Sequence, residues 1–61
     1  MTETQKAQAA RLTDALDDFR TSLMTEFHST SDEDKGDALA ALVDVLFDAE
    51  TAVAQAVALL S

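Results

Sequence analysis

The side chains with the most chemical potential in this chain are its carboxylates, and the densest run is Asp32-Glu33-Asp34-Lys35-Gly36-Asp37. Such a run invites a calcium reading. An EF-hand loop needs acids at positions 1, 3 and 5, glycine at 6 and glutamate at 12. Counting from Asp32 puts Gly36 at position 5 and Val43 at 12, so the spacing does not fit. Acids in the first turn of a helix are favoured by its dipole, which accounts for the run without a ligand. A second group is Asp44, Asp48 and Glu50. Asp44 and Asp48 stand four residues apart and share a helical face. A carboxylate-bridged metal site in a helical bundle needs Glu-x-x-His motifs facing inward. The sole histidine, His28, is in no such motif. It lies where a helix C-terminus favours a cation. The hydroxyls Ser29, Thr30 and Ser31 follow it, but nothing orients an imidazole toward them as a base. With no cysteine, a thiolate zinc site is excluded. The expectation is a protein with no catalytic residue, no cofactor and no metal, and so not an enzyme.

These side chains sit on two segments that read as helix. The first is expected from about residue 4 to 28. Leu12, Leu16, Phe19, Leu23 and Phe27 recur at steps of 4, 3, 4 and 4, with Ala9 extending the stripe backwards. Ser29-Thr30-Ser31 reads as the turn, because short hydroxyl side chains bond locally to the backbone. They also offer N-caps, with Thr30 and Glu33 or Ser31 and Asp34 as equally good registers. The second helix is expected from about 32 to 60, with Gly36 near its start costing roughly 1 kcal/mol relative to alanine. Leu39, Leu42, Leu46, Ala49, Val53, Ala56 and Leu60 form a heptad seam, with Val43, Val45, Val57 and Leu59 beside it. Glu50 falls next to that seam. It is expected to meet Arg11 or Arg20 in an ion pair that sets register across a bundle.

Helix 2 therefore carries more apolar face than helix 1 can cover. The chain has 61 residues, of which 29 are apolar, but 12 of those are alanine. A domain this small is marginal alone, and without disulfides oligomerisation is the usual remedy. The fold class expected is all-α: one domain over 1–61, an antiparallel helical hairpin that dimerises into a four-helix bundle. The oligomer interface would draw on Leu12, Leu16, Phe19, Leu23, Leu39, Leu42, Leu46, Val53, Val57 and Leu60.

Twelve acids face four bases, for a formal charge of -8. Such a surface repels nucleic acid and anionic lipid, so neither is an expected partner. The most apolar stretch, 38–60, is interrupted by Asp44, Asp48 and Glu50. Its longest charge-free run is 11 residues to the end of the chain, against the ~20 a membrane span needs. A polar beginning without an apolar signal segment points to the cytoplasm.

The threonine- and lysine-bearing start, two helices near 28 residues and a turn followed by Asp32-Glu33 together resemble the Rop family of plasmid copy-number regulators. The resemblance covers the layout of the whole chain and rests on no specific motif. It implies a dimeric hairpin bundle. That family binds paired RNA loops through lysines, amides and an aromatic on helix 1. Here the outward positions are Asp14, Asp17, Asp18 and Thr25, and only Lys6 keeps the sign, so the function is not carried over.

The function expected is a small acidic regulatory module that works through protein–protein contacts as a homodimer. Its further partner would be a basic protein met through Phe47, Asp44, Asp48 and Glu50. Phe47 either closes the edge of the oligomer core, padded by Met24, or stands out as an anchor. One alternative is a nucleic-acid mimic, with Asp14, Asp17, Asp18, Asp37, Asp44 and Asp48 in place of phosphates; a second, which the charge disfavours, is an RNA-binding bundle of the kind the Rop resemblance implies.

Overall fold

The computed structural model describes all 61 residues. Two helices, α1 (Glu3–Ser29) and α2 (Glu33–Leu60), pack against each other as an antiparallel hairpin. No backbone strain is needed to make it: no residue has a left-handed φ and no peptide bond is cis.

Both helices start on side-chain caps. Thr2 Oγ1 accepts from the Gln5 amide at 3.1 Å while the Thr2 amide donates to Gln5 Oε1 at 2.9 Å, a complete capping box. This box starts α1 at Glu3, one residue before the expected start, because periodicity carries no information among the polar residues of the first turn. In the turn, neither Thr30 nor Ser31 caps α2. Asp32 does, its Oδ1 accepting from the Lys35 amide at 3.1 Å. Thr30 instead ends α1, and its hydroxyl accepts from the Asp32 amide at 3.4 Å. Asp32 is the better cap because a carboxylate at the positive end of the dipole adds charge to the hydrogen bond. At the far end of the hairpin the Met1 amino group donates to the Leu60 carbonyl at 2.6 Å, near the end of a helix with no base in its last turn.

The rows that meet between the helices differ from the seam expected. On α1 the contact row is Ala9, Thr13, Leu16, Arg20 and Leu23; on α2 it is Gly36, Leu39, Val43, Leu46, Glu50, Val53 and Val57. Leu39, Leu46 and Val53 belong to both versions. Leu42, Ala49 and Ala56 give way to Val43, Glu50 and Val57, while Leu12 and Phe19 give way to Thr13 and Arg20. Replacing one row by its neighbour turns each helix by about 50°, half the ~100° between successive residues. The polar members of this row are satisfied where they stand: the Thr13 hydroxyl donates to the Ala9 carbonyl at 2.9 Å, and Arg20 reaches Glu50 across the contact at 2.6 Å.

The core this creates is thin. Leu23, Leu39 and Leu46 are its only buried large side chains, with Leu16 and Val43 packed against them. The molecule is a rod of 45 × 15 × 11 Å with a radius of gyration of 14.1 Å. A compact chain of this length would have a radius near 10.5 Å. Its accessible surface is 4429 Å², against about 3,800 Å² expected of a folded monomer of this mass.

Candidate interaction surfaces

With the hairpin turned this way, each helix presents a different row on either side of the contact. On one side α2 shows Leu42, Val45, Ala49, Ala52, Ala56 and Leu59, spaced 3, 4, 3, 4 and 3. All but the half-buried Ala49 are exposed, Val45 at 62% and Leu59 at 86%. The α1 row on the same side is Leu12, Ala15 and Phe19, with Leu12 at 50% and Phe19 at 49%. These two rows lie on one side because their continuations toward the turn meet. Glu26 is one heptad beyond Phe19, Lys35 is one heptad before Leu42, and their charges sit 3.2 Å apart. That ion pair marks the turn end of a row whose own members carry no charge for about 25 Å, from Leu42 to Leu59, with the exposed Asp48 on its outer flank beside Val45 and Ala52.

The opposite side is built differently. Met24 and Phe27 from α1 with Ala40 and Val43 from α2 line a shallow hollow of about 120 Å³, edged by the Asp44 carboxylate. One turn along α2 from Val43, Phe47 stands 58% exposed. The Arg20 guanidinium lies 5.8 Å from its ring centroid, within cation–π range. Asp14 and Asp17 border this side on α1, and Asp37 and Asp44 on α2; all four are exposed.

Arg20 is held in place by more than the ring. Its Nε donates to Glu50 Oε2 at 2.6 Å and its Nη2 to Asp17 Oδ1 at 2.6 Å. The hydrogen bond to Glu50 comes first among the causes that hold the guanidinium above its ordinary pKa. Burial opposes it, and the charges of Glu50 and Asp17 add to it. Glu50 thus meets one of its two expected partners, within a single chain, and its side chain keeps only 14% of its exposure. It sits in the contact row itself, so of the set Asp44, Phe47, Asp48 and Glu50 the first three stay open to a partner. Asp48 is exposed on the outer flank, away from α1.

The remaining bases are also engaged. Lys6 pairs with Glu3 at 3.3 Å, and only Arg11 has no carboxylate within salt-bridge reach; its Nε donates to the Ala7 carbonyl at 3.4 Å. His28 ends α1 with its ring edge-on to Phe27, centroids 5.7 Å apart, and the Ser29 hydroxyl donates back to the Glu26 carbonyl at 3.1 Å. Hydroxyl and imidazole are thus occupied separately. No three of the His, Asp and Glu side chains converge as metal ligands, and no helix is long and apolar enough to cross a membrane.

The ten residues expected at an oligomer interface divide between two roles. Leu23, Leu39 and Leu46 are buried within the hairpin, and Leu16, Val53 and Val57 are half-buried there. Leu12, Phe19, Leu42 and Leu60 remain exposed. Val45, Ala52 and Leu59, exposed in the same row as Leu42, lie outside that set because a stripe centred on Leu39 and Leu46 places them off to one side. The signal that finds them is their own 3-and-4 spacing with Leu42, Ala49 and Ala56. Compared with protein-family models, curated proteins and solved structures, the chain matches none.

Proposed function

We propose that this chain is a non-enzymatic interaction module of the cytoplasm that works as a homodimer, two hairpins meeting on their uncharged faces to form a four-helix bundle, with the acidic exterior left to meet a basic protein in a regulatory role. The observation that carries the reading is the exposed row Leu42, Val45, Ala49, Ala52, Ala56 and Leu59 beside Leu12 and Phe19. Contiguous apolar rows of this length are rare on a soluble monomer's surface. Charge favours a second copy as the occupant. Two chains of charge -8 repel each other everywhere except along a strip that carries no charge. A standard interface takes about 800 Å² from each partner, under a fifth of the 4429 Å² each hairpin exposes.

The test is absolute mass by light scattering through a dilution series, for the wild type and Val45→Asp. The wild type should run at twice 6.5 kDa. Val45→Asp should run at half the wild-type mass and keep its helical circular dichroism, because Val45 touches nothing within the hairpin core. A wild type that is a folded monomer at every concentration would overturn the reading.

The nucleic-acid mimic draws on a separate observation. Asp14, Asp18, Asp37, Asp44 and Asp48 are exposed and free of any basic partner, and only Asp17 is spent on Arg20. Binding by carboxylates alone would vanish with added salt and ignore the loss of Phe47. An RNA-binding role of the kind the Rop resemblance implies has little positive charge to draw on, with Arg11 the one unpaired base.

A further inference from the structure

We propose that the acidic side of the hairpin is a docking groove for a basic amphipathic helix, which seats one apolar side chain in the hollow between Met24, Phe27, Ala40 and Val43 and a second against Phe47. This names the partner's chemistry and rests on the module reading above, which leaves this side facing outward once the uncharged sides have paired.

The hollow has the right size for one side chain. At about 120 Å³ it is of the order of the ~150 Å³ cavity that accommodates benzene in an engineered core, a volume on the scale of one apolar side chain. Phe47 follows Val43 by four residues, about 6 Å along α2. Anchors four residues apart on a partner helix match that distance, the spacing by which helix-in-groove complexes are read. An exposed aromatic at such a place is the residue type that most often dominates an interface. Within the hairpin it is already fixed from one side by Arg20, so little freedom is lost when a partner covers it.

Charge selects the partner. Asp44 stands at the hollow itself with the exposed Asp37 two turns before it on α2, and Asp17 lies beside Arg20 and Phe47 on α1. The one guanidinium on this side is turned inward onto Glu50 and Asp17. An acidic or neutral helix would lay its flanks against carboxylates with no cation to offset them. A helix with lysine or arginine on both sides of its apolar row would pair with the acids of both helices. The same carboxylates repel a second copy of this chain, which separates this groove from the uncharged side.

The experiment is a titration of the isotope-labelled full chain, followed by amide NMR, with a synthetic amphipathic peptide of about 18 residues bearing leucines at helical spacing and lysines on both flanks. A scrambled peptide of the same composition and a glutamate-for-lysine analogue serve as comparisons. Shifts should concentrate at Met24, Phe27, Ala40, Val43 and Phe47 and leave Val45 and Ala52 unmoved. Phe47→Ala and Asp44→Lys should each weaken binding by about tenfold or more with the mass in light scattering unchanged. The proposal is overturned if the ordered peptide causes no shifts, if the shifts fall on Val45 and Ala52, or if the scrambled peptide binds as well, which would mean carboxylates acting alone. Mass measured on the same samples separates the two readings. A dimer that ignores the peptide sinks the groove and leaves the module standing. A monomer whose uncharged face takes up the peptide sinks the module itself.

Discussion

At the scale of single residues, types that looked out of place turn out to be satisfied locally. Glu50 was the least comfortable side chain in an apolar helix, and Arg20 answers it from α1 at 2.6 Å. The pairing was legible as one of two options because both arginines lie on α1, but only the turn of the hairpin chooses between them. Because Arg20's pKa is raised on folding, its contribution is complete at every pH below its ordinary value. It is lost only as pH rises through the still higher folded value. Arg20→Lys should therefore bring the alkaline loss of this pair to lower pH, since lysine ordinarily titrates at ~10.4, as read by thermal melts across a pH series; an unchanged alkaline profile would mean that the pair adds nothing to stability. Gly36 gives a second prediction. A β-carbon added there would meet the Thr30 methyl at 3.7 Å and the Phe27 ring at 4.0 Å, ordinary contact distances, and the backbone is helical. Gly36→Ala should stabilise the fold by about 0.5–1 kcal/mol, raising Tm by several degrees for a chain this small. A fall in Tm would mean that the turn packs more tightly than these distances say.

At the scale of the helix, caps and seam do different work. Asp32 closes the start of α2 with one charged hydrogen bond, and Asp32→Ala should cost about 1 kcal/mol, with Asp32→Asn recovering most of it. Chemical denaturation of the three proteins would check this. The competing caps at Thr30 and Ser31 were equally plausible from spacing, since both registers put an acceptor before an acidic first turn. What decides is where α1 stops, and Thr30 is already taken as its end. Leu46 lies at the centre of both the expected and the observed seam, one of three large residues buried in the hairpin. Leu46→Asp should abolish helical circular dichroism, because it places a charge where no partner exists. A folded Leu46→Asp protein of unchanged mass would show that α1 and α2 do not pack along this row.

At the scale of the whole molecule, surface dominates. A rod one helix thick in its shortest direction cannot enclose its apolar residues. Three buried leucines are a small core for a free-standing domain. Stability should therefore depend on protein concentration, as it does wherever association and folding are linked. The wild type's Tm should climb through a dilution series run upward, and that of Val45→Asp should stay flat and lower. A concentration-independent Tm shared by both proteins would mean that the hairpin stands alone and its uncharged face serves some other contact.

Sequence by itself determined the two helices, their ends to within a few residues, the turn between them and the excess of apolar surface on α2. Each of these follows from local preferences and from 3-and-4 periodicity, which every helical residue reports independently. Tertiary structure decided which of two adjacent rows faces inward. Leu42 and Val43, or Leu12 and Thr13, are neighbours in the chain, and periodicity alone ranks the larger side chain first. The packed hairpin ranks them otherwise, and the polar Thr13, Arg20 and Glu50 enter the contact row because each finds a partner there, Thr13 the Ala9 carbonyl and Arg20 the Glu50 carboxylate. From that choice come the uncharged face around Val45 and the acidic groove around Phe47, neither of which is written in either helix alone.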